Sequence, residues 1–186
     1  MNRRPQPLVR AVASGLLLVA AAALAGCGSD RRLYEEAATE AEAGVATSLE
    51  LTASQATALL AESSGASDIS PDDIAGIFLL DARGYEAGLV GPVKTRALFD
   101  LVEHDDGTVT FSVFLRDSVY RSSGLTNTSQ TRHSCGELVG RFGEGVLSLN
   151  DLDCPAEFES AAGEDSQPLS MTENAAKYGV NVESAP

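Results

Sequence analysis

The N-terminal segment constrains this chain most, because it decides which residues are left to fold. Residues 1–10 contain three arginines and no acidic residue, and residues 11–23 form an apolar run without a charge. A basic start, a short apolar run and small residues at its end are the pattern of a secretory signal peptide. The run is shorter than the roughly 20 apolar residues that a transmembrane helix needs. We therefore expect residues 1–26 to be a cleaved signal peptide and the remaining chain to fold outside the cytoplasm.

The four residues that follow the apolar run indicate how the mature protein is held. Residues 24–27, Leu-Ala-Gly-Cys, resemble the lipobox of bacterial lipoproteins at all four positions. In that family the cysteine receives a diacylglyceryl group, the chain is cut just before it, and the new amine is often acylated. The resemblance implies that Cys27 is the lipidation site and that the lipid holds the protein at the outer face of the cell membrane. The alternative is an unmodified thiol, beside an ordinary cleavage site or in an uncleaved helix.

The number of cysteines fits this resemblance. The chain has three, and an odd number in an exported protein needs an explanation. If lipid occupies Cys27, then Cys135 and Cys154 remain as a pair in an oxidising compartment, and we expect them to form a disulfide. In the loop-entropy model, closing a loop of about 20 residues contributes roughly 3 kcal/mol to stability.

The charge balance argues against several classes of partner. The chain has 27 acidic and 13 basic residues and a formal net charge of −14. Binding to nucleic acid, or to an anionic membrane surface through a polybasic segment, needs clustered lysine and arginine, which this composition does not favour. With two histidines and no tryptophan, a rich metal site or an aromatic ligand cage is also disfavoured. We expect no nucleic-acid partner, no metal and no cofactor.

Helical patterns dominate the first half of the mature chain. Apolar residues recur every fourth position from Leu33 to Leu49, which predicts a helical or partly ordered tether that Gly44 interrupts. A capping box over residues 52–55 predicts a second helix starting there. Ser70 before a proline and two aspartates predicts a third helix that ends by Gly84, although its Ile-Phe-Leu-Leu run is also compatible with a strand.

After residue 92 the apolar period changes to two, which predicts β-strands. Residues 94–103 and 108–120 are expected to form a hairpin, since an Asp-Gly turn separates them. Residues 121–130 are rich in serine, threonine and asparagine and are expected to form a loop. Residues 131–142 and 146–153 form a second predicted hairpin around the turn Gly143-Glu144-Gly145.

The second hairpin and the expected disulfide support each other. Folded about Glu144-Gly145, the two strands pair residues whose numbers add up to 289, so that Cys135 lies opposite Cys154. Directly opposite residues have Cα atoms about 4.5–5.5 Å apart, a distance that a disulfide can bridge. The expected fold is α+β, with N-terminal helices packed on an antiparallel meander of about four strands and braced by one disulfide.

The expected organisation has four parts. They are a signal peptide (1–26), the lipidated cysteine with a helical or flexible tether (27–51), an α+β globular domain (52–155), and an acidic tail (156–186) with a possible helix over 171–178. Helices followed by a meander and a Cys-Pro ending look like many small uncharacterised lipoproteins of high-GC Gram-positive bacteria. This looser resemblance implies no activity.

Three groups of residues could carry chemistry, and each has an ordinary structural explanation. His104-Asp105-Asp106 resembles an acid–base or metal set but lies in a predicted tight turn. His133, Cys135 and Glu137 alternate along one strand face and could form a thiol nucleophile with its base, but a disulfide sulfur is not a nucleophile. Asp151 and Asp153 could help to hold Ca²⁺ beside the acidic turn, but no twelve-residue calcium loop is present.

Two hypotheses of function follow. The first is a non-enzymatic lipoprotein that binds an envelope protein or a small apolar ligand, and an apolar cavity or an exposed apolar patch would favour it. The second is an envelope hydrolase that uses the His133 strand or the acidic turns. A cleft that places His133 near a carboxylate and a hydroxyl would favour the second hypothesis.

Overall fold

The computed structural model describes residues 8–83 and 95–184, with side chains for residues 30–83 and 95–182. A long helix packs along one face of a mostly antiparallel sheet, so the predicted α+β class is confirmed. The elements are α1 (Leu8–Glu62), a 3₁₀ turn (Ala66–Asp68), α2 (Pro71–Phe78), β1 (Arg96–Glu103), β2 (Thr108–Ser123), β3 (Thr126–Arg141), β4 (Leu147–Leu152), α3 (Ala156–Ala162), β5 (Gln167–Pro168), α4 (Met171–Tyr178) and β6 (Glu183–Ser184).

Strands β1 to β4 form the meander in sequence order, each antiparallel to the next. Two short parallel strands extend it, because β6 pairs with β4 and β5 pairs with β3. None of the helices in the described part of the chain has the length and hydrophobicity needed to span a bilayer.

The main core lies between α1 and the sheet. The helix contributes the stripe that the sequence predicted, and its alanine and leucine side chains meet the alternate residues of β2 and β3. A smaller apolar cluster lies on the opposite sheet face, where α3 covers it. The buried residues of the main core include Val45, Leu49, Leu60, Leu98, Val109, Phe111, Val113, Leu115, Leu138 and Met171, and those of the smaller cluster are Ala82, Ala97, Phe114, Cys135, Phe158 and Ala162.

The predicted break at Gly44 and the predicted helix start at residue 52 are both wrong, because α1 is continuous to Glu62. Gly44 lies where the helix approaches β2 closely, since a Cβ atom there would come within 1.9 Å of Asp117 Oδ2. Thr52 is buried, and its hydroxyl donates to the Ser48 carbonyl 2.7 Å away instead of capping a helix. The packing of residues 37–49 on the sheet therefore makes much of the expected tether a part of the core.

Residues 121–130 form a hairpin, and the expectation of a loop there is wrong. Strand β2 continues to Ser123 and β3 begins at Thr126, with Gly124 in a left-handed turn at φ 61°. The polar composition resembles that of a loop, but threonine is also a strand former. Packing of Val119 against α1 stabilises this extension.

The disulfide between Cys135 and Cys154 is present, with the two Cα atoms 5.2 Å apart. The register that predicted it is wrong by two residues, because Leu138 pairs with Leu149 and Cys135 pairs with Leu152. The turn centres on Gly143, which has φ 76° and whose N–H donates to the Leu60 carbonyl of α1. A shift of two keeps every side chain on its predicted face.

The C-terminal region is more ordered than its composition suggested. Residues 156–162 form α3 and bury Phe158 and Ala162, so the expected acidic tail begins with a helix. The predicted helices α2 and α4 are confirmed. Ser70 and Ser170 cap them, although α2 ends at Phe78 and Gly84 lies outside the described residues.

Candidate functional site

A groove of about 660 Å³ lies between α1, the start of β4 and the segment after α4. We call it the α1–β4 groove. Its lining is formed by Glu50, Ala53, Ser54, Thr57, Gly145, Val146, Leu147, Val180, Asn181 and Val182. Five of these residues are apolar, and Glu50 alone among the described lining residues is charged. An acidic protein thus presents a nearly uncharged concave surface at this place.

The groove forms because small side chains lie at the border between helix α1 and the sheet. Helix α1 contributes residues at positions i, i+3, i+4 and i+7, which share one helix face. Ala53, Ser54 and Gly145 have small side chains or none, while Leu147 and Val182, which belong to or pack against the main core, contribute apolar surface. Val146 stands at the edge with 54% of its surface exposed.

The groove lies far along α1 from the predicted lipidation site. Glu50 and Thr57 follow Cys27 by 23 and 30 residues in one continuous helix, which corresponds to about 35–45 Å along the axis. Cys27 itself lies within α1, and its side chain is outside the described residues.

His133 meets two of the groups that a hydrolase would need. Its Nδ1 lies 2.7 Å from Ser166 Oγ, and the negative charge of Glu159 acts on the ring. Burial nevertheless lowers the pKa of His133 below its usual value, and the Arg116 charge adds to this effect while Glu159 opposes it. The imidazole is therefore neutral at pH 7.

The surroundings of His133 fit a structural role better than catalysis. The residue is only 4% exposed, and no hydrogen-bond partner for its Nε2 is found among the described residues. A buried N–H without an acceptor is costlier than a free lone pair, so the favoured tautomer has Nδ1–H donating to Ser166. In that tautomer the ring nitrogen nearest the serine cannot take its proton.

The other predicted residues are dispersed. His133, Cys135 and Glu137 do share a strand face, but α3 covers the first two while Glu137 lies on the exposed half of that face. Cys135 is in the disulfide. The disulfide that we expected therefore leaves no free thiol at Cys135 to act as a nucleophile.

The acidic turn lines a second, shallow depression of about 620 Å³ on the exposed sheet face. His104 Nε2 lies 3.0 Å from Thr110 Oγ1, and Asp106 accepts a hydrogen bond from the Thr108 N–H. That backbone hydrogen bond is the main cause of the lowered pKa of Asp106. These contacts are those of a tight hairpin turn.

Asp151 has a capping role that the calcium hypothesis did not anticipate. It accepts hydrogen bonds from the Thr172 N–H at 3.1 Å and the Ser170 hydroxyl at 2.9 Å, at the start of α4. Burial alone would raise the pKa of Asp151, but the hydrogen bonds from the Thr172 hydroxyl and N–H, the Ser170 hydroxyl and the Met171 N–H together lower it. Asp153 lies beyond the end of β4. The described residues contain no group of three or more His, Cys, Asp and Glu side chains arranged to hold a metal ion.

Sequence reasoning missed the α1–β4 groove because three segments distant in the sequence build it. The available signals in the sequence were Val146 directly after the glycine-rich segment 143–145 and the Val-Asn-Val run after Gly179. The chain matches no model of a known protein family, no curated protein and no solved structure.

Proposed function

We propose that this protein is a lipoprotein, anchored through acylated Cys27 at the outer face of the cell membrane, that binds a partner without catalysis. The lipobox resemblance of residues 24–27 supports the anchor. The α1–β4 groove is the observation that carries the binding role, because it provides a concave and nearly uncharged surface in which half of the lining residues are apolar.

The position of the groove suits a protein that acts at a distance from its anchor. About 35–45 Å of helix separates the lining residues Glu50 and Thr57 from Cys27. A helix of this length lifts the groove above the lipid headgroups when α1 stands away from the bilayer. A second envelope protein then has access to it.

The shape of the groove favours a segment of a partner protein. It is open to solvent, and its lining combines apolar side chains such as Val146 and Val182 with polar ones such as Ser54 and Asn181. Apolar contacts with a few polar groups at fixed positions are typical of peptide recognition. A small apolar ligand is the other occupant that the lining would accept.

An envelope hydrolase is the second candidate, and the contact between His133 and Ser166 is the observation in its favour. It has less support, because His133 is buried and its favoured tautomer donates to the serine. Replacing Ser166 by alanine should leave any hydrolytic activity of the purified protein unchanged.

The groove can be tested with a photo-crosslinking amino acid placed at Asn181, an exposed residue in its lining. In cells of the native host, illumination should give a discrete adduct with an envelope protein. The substitution Val146→Asp should abolish that adduct, because it places a charge at the apolar edge.

Val102→Asp is the matched control, since Val102 is a partly exposed valine on the opposite sheet face. It should leave the adduct unchanged. Equal loss in both variants, or no adduct at Asn181, would contradict a partner protein. Excess mass in native mass spectrometry that disappears on denaturation would assign the groove to a small ligand instead.

A further inference from the structure

The hairpin of β2 and β3 extends beyond the rest of the sheet as a two-stranded arm. Pairing between β1 and β2 ends at Arg96 and Leu115, whereas the β2–β3 ladder continues to Ser123 and Thr126. Gly124 and Leu125 form the tip, and the Leu125 side chain is fully exposed. We call residues 118–131, the part of this hairpin beyond β1 and β5, the arm.

The arm lies along α1 and points toward its N-terminal end. Arg121 pairs with Glu40, and Thr126 Oγ1 donates to Asp30 Oδ1 at 2.9 Å. Thr126 pairs with Ser123, six strand residues or about 20 Å beyond Asp117, which lies against Gly44. Asp30 and Gly44 are fourteen helix residues or about 21 Å apart, so these contacts fit an arm parallel to the helix axis. Val119 adds an apolar contact with Ala37 and Ala41.

This direction brings the tip to the level of the predicted anchor. Asp30 follows Cys27 by three residues, or about 4.5 Å of helix. Thr126, which contacts Asp30, is the direct neighbour of Leu125. An acylated Cys27 would therefore hold the arm tip beside the bilayer surface.

The charge of the arm differs from that of the whole chain. Between Asp117 and Glu137 the sequence contains no acidic residue, although the chain as a whole has 27. The charged residues of this stretch are Arg121 and Arg132. An arm without carboxylates approaches an anionic leaflet without the repulsion that the rest of the protein would experience.

We propose that the arm tip is a second membrane contact, with Leu125 entering the interfacial layer of the phospholipid bilayer beside the acyl chains on Cys27. The inference rests on the proposed lipidation of Cys27. Two contact points fix the tilt of the domain, whereas one flexible anchor would leave it free to rotate. The α1–β4 groove is then held away from the membrane.

The test uses the full lipidated protein with Leu125→Cys, labelled with an environment-sensitive fluorophore and reconstituted into vesicles of phosphatidylcholine and phosphatidylglycerol. The introduced thiol is the one available for labelling when Cys27 is a thioether and Cys135 is bonded to Cys154. We expect a blue-shifted emission that lipids with a spin label near the headgroup quench. The same label at Val146→Cys, in the α1–β4 groove, should not be quenched.

The possible outcomes separate this inference from the anchor. Vesicles that carry the protein on flotation, but leave the label at residue 125 unquenched, would overturn the arm contact and leave the anchor intact. Equal quenching at residues 125 and 146 would overturn a fixed orientation. Protein that fails to float with the vesicles would overturn the anchor, and the arm contact with it.

Discussion

At the scale of single residues, the role of Gly44 depends on Asp117, a partner that is distant in the sequence. Gly44 is in the middle of a helix, where glycine costs about 1 kcal/mol relative to alanine. It is compatible with the fold because Asp117 of β2 occupies the space that a side chain would need. Burial raises the pKa of Asp117, and the nearby Glu40 charge adds to this effect.

Gly44→Ala should therefore destabilise the protein by about 1–3 kcal/mol, because the new methyl group clashes with the Asp117 carboxylate. Urea unfolding measures this change. In an Asp117→Ala background the same substitution should be neutral or stabilising, since the helix preference for alanine then remains.

Gly76→Ala is the matched control, because Gly76 lies in α2 and a Cβ atom there meets no other atom within 4 Å. It should stabilise the protein by about 0.5–1 kcal/mol. A similar gain in stability from Gly44→Ala in the unmodified protein would contradict the role given to Asp117.

The buried His133 predicts a dependence of stability on pH. Burial keeps its pKa in the folded protein below 6.5, the value expected in the unfolded chain. The contribution of neutral His133 to the free energy of unfolding is therefore complete above pH 6.5. It is lost as the pH falls through the pKa of the folded protein, because His133 takes up its proton first in the unfolded chain.

The free energy of unfolding should decrease from pH 7.5 to 5.5, by at most about 1.4 kcal/mol per pH unit for one proton. His133→Gln should flatten this dependence, whereas His104→Gln, at an exposed histidine, should leave the His133 contribution in place. An unchanged slope in His133→Gln would contradict a buried neutral histidine.

At the scale of elements, the sequence predicted the features that depend on contacts between residues close together in the chain. The caps of α2 and α4 could be predicted because Ser70 and Ser170 bond to groups three residues away. The continuity of α1 and the length of the β2–β3 hairpin could not be predicted, because both depend on packing between the helix and the sheet. The register of β3 and β4 was also missed, since the bond from Gly143 to α1 places the turn.

Reduction of the disulfide should lower the melting temperature of the folded domain. The bond between Cys135 and Cys154 closes a loop of about 20 residues that contains β4, and such a loop is worth roughly 3 kcal/mol. Thermal unfolding with and without a reductant measures the difference. Free alkylation of both thiols in the native protein without a reductant would contradict the pairing.

At the scale of the whole molecule, the long helix separates two ends with different surfaces. The end near Asp30 carries the carboxylate-free arm, while the α1–β4 groove begins about 30 Å further along the axis, at Glu50. This arrangement makes sense for a protein fixed at one end, so the proposed roles of both surfaces depend on lipid at Cys27. The groove itself could not be predicted from the sequence, because it needs α1, β4 and the segment after α4 together.

The most direct test of this account is the intact mass of the protein extracted from membranes. We predict a chain that begins at Cys27 and exceeds the polypeptide mass by a diacylglyceryl group, with or without a further acyl chain. Cys27→Ala should leave an uncleaved precursor without lipid. A mature chain with an unmodified Cys27, or lipid that persists in the Cys27→Ala variant, would contradict the anchor and the orientation that follows from it.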